Sequence, residues 1–417
     1  METYFQFWKE MLRQALTGSR LYYIWISLLS TVIAIGVFGY SQQLESGLIV
    51  TAMTDQVSWG AYIANFTYIV GLAAAAVMLI IPAYIYQIED FKKITIIGEL
   101  FATASIVMCL LFVTVDMGRP DRIWHLFPFI GRMNWPISML SWDVIVLMVY
   151  LLLNLHIPGY LLYKKYKGEE PTKSYYIPFV FISIFWAISI HTVTAFLYLG
   201  LGGRPFWNSA ILAPRFLVSA FAVGPCFIIL SLQAIEKFTK FRPPPYALHI
   251  LKRITAVTLI INLFLFGCEI FKEFYTDSAH SASAEYLLMG LHGNNMLVPY
   301  IWTALGFNVI ATLIYTHRRL SQHTVAINIA SVLAILGIWI EKGMGLIVPG
   351  FIPTPLGDIV EYTPSLIEIQ VCAGIWAVGI LLFTLFLKAA VPIETGEVRI
   401  KRDEFEFPTR TPFDVYR

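Results

Sequence analysis

Residues 116–143, DMGRPDRIWHLFPFIGRMNWPISMLSWD, form a polar break between two long apolar runs of the chain. These runs, residues 94–116 and 137–163, are each long enough to cross the ~30 Å hydrocarbon core of a bilayer as a helix. The break itself concentrates charges, prolines and tryptophans. We therefore interpret it as a loop that covers a site at one membrane face and is held there by the surrounding helices.

The composition excludes an ordinary soluble protein. Hydrophobic residues make up 58% and charged residues 13% of the 417 positions, and the mean hydropathy is +0.69. A soluble domain carries about 25% charged residues. The formal net charge of +2 gives no indication of a partner. The chain is therefore predicted to be a polytopic membrane protein.

Ten mostly apolar segments follow one another along the chain, and each can span the membrane as a helix. They are residues 21–40, 60–88, 94–116, 137–163, 174–201, 208–235, 250–274, 296–316, 323–343 and 364–388. Pro214 and Pro225 are expected to break the sixth segment. The sequence thus predicts an all-α fold with about ten transmembrane helices in a domain of residues 21–388.

A faint internal repeat relates the second span to the sixth. Each follows a tryptophan and ends in an acid, and the chain contains two G-R-P triplets, both expected at the outer face and both soon followed by a tryptophan. These features are Trp59, Glu89 and residues 118–120 for one, and Trp207, Glu236 and residues 203–205 for the other. The repeat predicts two pseudo-repeated four-helix bundles, at about 60–201 and 208–343, plus two flanking helices.

Lysine and arginine concentrate in one set of connections between spans, including residues 92–93, 164–173 and 318–319, and both chain ends share that side. By the positive-inside rule, this predicts a multi-pass protein of the cell membrane with both termini in the cytoplasm. The 116–143 loop then lies at the outer face. Residues 389–417 are predicted to form a cytoplasmic tail.

Residues 1–20 are predicted to form a cytoplasmic helix at the membrane interface. Five apolar residues fall on one helical stripe: Phe5, Trp8, Leu12, Ala15 and Leu16. No small-residue cleavage site follows this charged segment, so no cleavable signal peptide is expected.

Ionisable residues inside spans are costly and usually functional, and here they concentrate in the outer half of the spans. Asp143 and Arg215 each lie two turns inside a span and could form an ion pair, as could Glu341 and Lys342. This distribution predicts an acid-rich pocket near the outer face.

The chain is not expected to bind a redox centre or a metal. Four cysteines lie in separate apolar runs without a C-x-x-C pattern: Cys109, Cys226, Cys268 and Cys372. An iron–sulfur cluster needs about four closely placed thiolates. His156 and His191 would differ in depth by roughly 15 Å on antiparallel helices, too far for one shared haem.

An acid-rich pocket of this kind favours proton exchange with an apolar molecule that arrives from the bilayer. A quinol fits, because an Asp or His near the outer face can accept each hydroxyl proton as the electrons leave. The electrons must then pass to a centre outside this chain.

The segment D-M-G-R-P-D-R-I-W-H at 116–125 resembles the D-L-G-R-P-type motif of the polysulfide-reductase membrane-subunit family, also called NrfD-like, with Met117 replacing the usual leucine. Trp59 with Asn65 and the S-W-D triplet at 141–143 are similar to the ten-helix branch of that family. This branch includes the DsrP-like menaquinol subunit of the sulfate-reducer Dsr transmembrane complex. The resemblance covers roughly spans two to nine.

The resemblance implies a subunit without haem or cluster that exchanges electrons between menaquinone and a ferredoxin-like iron–sulfur partner on the outer loops. The implied quinone site comprises Asp116, Arg119, His125, Asp143, Asn65 and Tyr62. Asp143 or His125 would be the catalytic proton acceptor, and Arg119 would anchor Asp116 or Asp121. A candidate proton path from the inner face comprises Glu99, His156 and His191, unless these groups only pack helices together.

Two other classes of protein are weighed against this hypothesis. A secondary transporter or proton channel would use the two bundles, but transporters usually break helices at matching mid-membrane positions in both repeats. The breaks expected in span six have no counterpart in span two, and the polar residues cluster at one face. A cytochrome b is disfavoured by the depths of its candidate haem ligands.

Overall fold

The computed structural model describes residues 2–127, 129–275 and 279–400 of the chain. These residues form helices joined by loops, and their only β-type pairing is an isolated bridge between Leu291 and Asn294. Ten of the described helices are long and apolar enough to cross a membrane. The prediction of an all-α polytopic membrane protein with about ten spans is therefore confirmed.

The helices are numbered in chain order. The first half of the chain contains α1 (Glu2–Leu16), α2 (Arg20–Ser46), α3 (Ala61–Ala73), α4 (Val77–Ile80), α5 (Glu89–Lys92), α6 (Thr95–Asp116), α7 (Met139–Tyr166) and α8 (Lys173–Leu199). The second half contains α9 (Leu212–Phe238), α10 (Pro245–Tyr275), α11 (Ala282–Leu288), α12 (Val298–Thr316), α13 (Thr324–Lys342), α14 (Met344–Ile347) and α15 (Leu366–Glu394).

Two rings of four helices form the centre of the molecule. In one, α3 packs on α6, α6 on α7, α7 on α8 and α8 on α3. In the other, α9 packs on α10, α10 on α12, α12 on α13 and α13 on α9. The rings meet where α9 packs against α3 and α8. The division into two bundles at about 60–201 and 208–343, and the repeat between them, stay predictions.

Helices α2 and α15 flank the rings and pack closely on each other. A Cβ atom on Gly36 would lie 2.7 Å from the Cα atom of Gly374, so only glycine allows these backbones to approach so closely. Small residues at such contacts are the usual means of packing helices within a bilayer, where apolar burial gives no driving force. Most of α2 beyond this seam is exposed and available to lipid.

The expected position of the helix break was wrong. Span six is one continuous helix, α9, that contains both Pro214 and Pro225, whereas span two changes to a 3₁₀ turn at Ala74–Ala76 and a π-helix at Ile81–Ile85. Pro214 falls in the first turn of α9, where a missing N–H costs little. Span two is the most buried of the ten, and irregular backbone is tolerated at membrane depth when protein surrounds it.

Two spans are longer than the apolar pattern indicated. Helix α2 continues past residue 40 to Ser46, and α15 continues past residue 388 to Glu394. The added turn of α2 is polar in sequence, but its Gln43 is only 4% exposed because it faces the protein interior. We call the membrane face at which α6 ends and α7 begins the loop face, and the face that carries α1 and the end of α15 the terminal face.

Candidate functional site: the loop face of the first helix ring

A chain of hydrogen bonds joins three spans at the loop face. Tyr62, at the start of α3, donates from its hydroxyl to Oε1 of Gln43 at 2.7 Å. Gln43 in turn donates from Nε2 to the backbone carbonyl of Val115, one residue before the end of α6, at 2.6 Å. Both side chains are buried, so the network fixes the end of α2 against the two central helices.

A buried carboxylate fixes the neighbouring loops. Glu368, in the first turn of α15, accepts hydrogen bonds from the backbone N–H groups of Ala52 and Ser365 at 2.8 and 2.9 Å, and from the Tyr362 hydroxyl. The Tyr362 oxygen also accepts from the N–H of Ala61 at 2.8 Å, at the first residue of α3. The pKa of Tyr362 is raised, mainly by burial of the side chain and secondly by the nearby Glu368 carboxylate. Its hydroxyl therefore stays protonated and remains a donor.

A cavity of about 310 Å³ opens beside this network, between the end of α2 and residues 117–121. We call residues 117–121 the G-R-P segment. The cavity is lined by Tyr40, Gln43, Leu44, Gly47, Leu48 and residues 117–121. Arg119 forms a bidentate ion pair with Asp121, with Nε–Oδ1 and Nη2–Oδ2 distances of 3.0 and 2.9 Å. The guanidinium lowers the pKa of the Asp121 carboxyl. Of the two expected partners of Arg119, Asp116 and Asp121, the structure pairs it with Asp121.

Asp116 is the last residue of α6 and immediately precedes the cavity lining at Met117. Its Oδ1 atom is buried and has no hydrogen-bond partner among the described residues. A buried carboxylate oxygen normally has a partner, because leaving it unsatisfied is costly. An acceptor is therefore available at the inner end of the G-R-P segment.

Asp143 lies away from this cavity lining. It is 1% exposed, in the second turn of α7, and its Oδ1 accepts a hydrogen bond from the Thr194 hydroxyl of α8 at 2.8 Å. Beside it, the Ser141 hydroxyl donates to the Met133 carbonyl and secures the loop to α7. Asp143 thus belongs to the interior of the first ring.

Asn65 is a junction between three helices. Its Oδ1 accepts from the indole N–H groups of Trp339 on α13 and Trp376 on α15, at 3.0 and 2.9 Å. Its Nδ2 donates to the Ala61 carbonyl at 2.8 Å and contacts the Cys372 sulfur at 3.6 Å. These contacts use the amide for helix packing, and its role as a quinone ligand stays a prediction.

The candidate histidines are dispersed. His125 is exposed and stacks on Trp124, with ring centroids 3.8 Å apart. His156 is also exposed and lies 3.2 Å from the Tyr175 hydroxyl on the outside of the ring. His191 is fully buried, and neither ring nitrogen has a partner within the described residues. The structure therefore brings His156 together with neither His191 nor the ring interior.

Glu99 lies inside the first ring, toward the terminal face, and is 1% exposed. Neither of its carboxylate oxygens has a hydrogen-bond partner in the described part of the chain, and the same is true of the buried Tyr150 hydroxyl. Glu99 and His191 thus remain candidates for proton exchange, with His156 placed outside.

The second ring contains a buried charge cluster, and it corrects two expected ion pairs. Arg215 contacts Glu269 on α10 and Glu341 on α13, the latter at 2.9 Å, and makes no ion pair with Asp143. Lys342 does not pair with its neighbour Glu341 but lies over the Phe216 ring, 4.4 Å from its centroid. Arg215 points into the ring formed by α9, α10, α12 and α13, whereas Asp143 faces α8.

Three residues of the site escaped the sequence reasoning. Gln43 lay beyond the assumed end of span one, and Thr194 and Tyr362 carry no pattern that separates them from other polar residues. Glu368 had a usable signal: Ser365 and Glu368 form the S-x-x-E pattern of a capping box, and the structure contains its reciprocal hydrogen bonds.

Comparison with known proteins places this architecture in a family. The Hdr-like menaquinol oxidoreductase integral membrane subunit of Archaeoglobus fulgidus is 24% identical over 392 residues, covering 89% of this chain and 95% of that protein. A selenate reductase subunit of Mesobacillus selenatarsenatis is 23% identical over 416 residues, covering 89% and 94%. A Halobacterium salinarum protein that bears the name of a dimethyl sulfoxide reductase membrane subunit is 24% identical over 394 residues, covering 86% and 88%.

These relatives are, by name, subunits of two reductases and of an oxidoreductase, which supports a redox-complex role for this multi-pass membrane protein. The family model described as polysulphide reductase, NrfD, matches residues 49–352, which include both helix rings and the G-R-P loop. The chain belongs to the polysulphide reductase NrfD family.

Proposed function

We propose that this chain is the quinone-reactive membrane subunit of its redox complex, with the quinone head group bound in the cavity between α2 and the G-R-P segment. The observation that carries the proposal is the buried, unpartnered Oδ1 of Asp116, the residue that immediately precedes the cavity lining in the chain. A carboxylate with a free acceptor beside a cavity can take a proton from a hydroxyl of a bound quinol.

The walls of the cavity suit an amphipathic ligand. On the α2 side, Leu44 is 55% exposed at the rim, where lipid would meet it. On the other side, the Arg119–Asp121 pair is exposed and polar. A molecule with a polar head and an apolar tail can enter from the bilayer and place its head against the segment of residues 117–121.

Oxidation of the quinol releases two protons and two electrons and leaves the quinone. Asp116 accepts one of these protons and the other leaves to the solvent at the loop face, while the Tyr62–Gln43 hydrogen bond keeps the neighbouring spans in place during the exchange. The electrons pass to an iron–sulfur subunit docked on the loop face, and the reverse reaction would take them from it. His125 and Arg119, both exposed on that face, would then lie near the partner.

We infer menaquinone as the substrate and the ten-helix DsrP-like branch as the subtype. The name of the Archaeoglobus relative, a menaquinol oxidoreductase subunit, supports the choice of menaquinone. The selenate and dimethyl sulfoxide reductase relatives leave the terminal acceptor of the complex open. Both termini are proposed to be cytoplasmic, which puts the loop face outside.

The binding site is tested with a photoreactive menaquinone analogue and the purified full chain in lipid nanodiscs. We expect saturable labelling of residues 40–48 and 117–121, and competition by unlabelled menaquinone. Saturable labelling confined to the second ring, or none at all, would reject the cavity. Reduction of a co-purified iron–sulfur protein by menaquinol, followed by electron paramagnetic resonance, tests the electron route. Substrate uptake without such reduction would favour the transporter alternative.

We propose that Asp143 takes part in proton transfer, so its replacement with alanine is expected to abolish quinol-dependent reduction of the partner while leaving assembly intact. The matched control is Thr194→Val, which removes the hydrogen-bond donor to Asp143 and keeps the carboxylate. Turnover and co-purification are measured together. Wild-type turnover of the alanine variant would leave Asp143 a packing residue.

We also propose that protons are exchanged with the terminal face. The unpartnered, buried Glu99 carboxylate supports this proposal. We expect Glu99→Gln to slow proton movement coupled to turnover in proteoliposomes. Glu89→Gln is the control, because Glu89 is exposed and paired with Lys92 at 2.5 Å. If both variants moved protons at the wild-type rate, Glu99 would be a buried packing group only.

A further inference from the structure

Helix α1 lies across the terminal face of the molecule. Near its start, Tyr4 and Phe7 pack against Tyr163 at the end of α7, with ring centroids 5.4 and 5.3 Å away. Near its end, the Ala15 carbonyl accepts a hydrogen bond from Tyr22, whose ring lies 5.2 Å from the Lys388 ammonium of α15. Because its two ends rest on different spans, α1 runs across the ends of these helices and does not extend away from them.

The helix has three edges, which follow from about 100° of rotation per residue. One edge packs on the protein through Phe7, which is 1% exposed, and Met11. The second edge is apolar and exposed, and consists of Phe5, Trp8, Leu12 and Leu16, which are 50–73% exposed. The third is polar and exposed, and consists of Gln6, Lys9 and Arg13.

The apolar edge continues the lipid-facing surface of the span that follows. Leu21, Ile24 and Leu28 on α2 are 69%, 64% and 55% exposed. The elbow between the two helices is fixed, since Ser19 caps α2 through its contact with the Tyr22 N–H, and the Tyr22 hydroxyl holds Ala15. An exposed apolar edge beside a membrane-spanning helix is stably covered by acyl chains and not by water.

We propose that α1 is a lipid-binding helix that inserts its apolar edge into the adjacent leaflet and holds anionic phospholipid head groups with Lys9 and Arg13. Lys9 makes no ion pair with a described carboxylate, while Arg13 is 68% exposed and contacts Glu10 at 3.0 Å. Positive charge close to a membrane surface attracts anionic lipids.

The test uses single substitutions in the full chain, reconstituted in phosphatidylcholine nanodiscs and treated with a membrane-impermeant maleimide. Leu12→Cys on the apolar edge is compared with Gln6→Cys on the polar edge, and the wild-type chain gives the background from the native cysteines. We expect the position 12 thiol to react several-fold more slowly than the position 6 thiol. After unfolding in detergent, both should react equally.

A second pair of measurements tests the head-group preference. Adding phosphatidylglycerol is expected to slow labelling of Leu12→Cys further, and Lys9→Gln with Arg13→Gln should remove that extra protection. Phe5→Cys repeats the experiment should the position 12 variant fail to fold. Equal labelling of the apolar and polar edges in nanodiscs would overturn insertion. Protection unaffected by phosphatidylglycerol would overturn the anionic preference.

Discussion

Replacing Asp116 with asparagine is expected to lower menaquinol-dependent reduction of the iron–sulfur partner by about 100-fold or more, the usual contribution of a positioned general base. Asparagine keeps the size and polarity of the side chain but cannot accept the proton of a hydroxyl as a carboxylate does. Helix α6 and the cavity lining should be preserved. Turnover in the assembled complex is the measurement, with quinone binding determined separately by photolabelling.

Asp121→Asn is the matched control for this prediction. Asp121 lines the cavity itself, but it is exposed and paired with Arg119, so it offers no buried free acceptor. We expect its turnover to stay close to that of the wild type. A slow Asp116→Asn variant that still binds quinone would indicate a role in chemistry. If that variant turned over normally, Asp116 would not be the proton acceptor.

Replacing Arg215 with methionine is expected to destabilise the protein by about 3–5 kcal/mol, the cost of removing one partner from a buried ion pair. The change leaves the carboxylates of Glu269 and Glu341 facing each other without the cation between them. Both are less than 6% exposed, so water cannot replace the guanidinium. The free energy of unfolding of the purified chain in detergent is the measurement.

Two variants make the second prediction specific. Arg122→Met removes an exposed arginine from the loop face and is expected to change stability by no more than about 0.5 kcal/mol. Combining Arg215→Met with Glu269→Gln and Glu341→Gln removes both unpaired charges and should recover most of the loss. If the Arg215→Met variant were as stable as the wild type, Arg215 would not be needed to compensate the buried charges of Glu269 and Glu341.

The sequence predicted most of the architecture, because span length and composition are set by the bilayer and not by tertiary contacts. The sequence-based prediction failed where a helix continued into polar residues, and where a helix became irregular because of contacts with another helix. Gln43 extends α2 because it bonds to Tyr62 and Val115, and neither partner is visible from span one alone. Span two is irregular where Ala75 meets Gly224 of α9, so that deviation depends on a distant helix.

The candidate site divides in the same way. The G-R-P segment, Asp116 and the Arg119–Asp121 pair follow from local sequence, because these residues are neighbours in the chain. Asn65 and Asp143 were also selected by sequence, yet their partners lie on other helices: Trp339, Trp376 and Thr194. Spacing along one helix gives the depth of a residue but not its direction. The sequence therefore predicted different depths for His156 and His191 but could not show that His156 is exposed and His191 buried.

By itself, the sequence determined that this chain crosses the membrane about ten times and carries a polar G-R-P loop between spans three and four. Those properties depend on hydrophobic length and local chemistry, which every segment carries independently of its neighbours. Only the tertiary structure decided that Arg215 pairs with Glu269 and Glu341 and that Asp116 keeps an unpartnered oxygen. Such facts depend on which helix faces meet, and this is set by the packing of all the spans together.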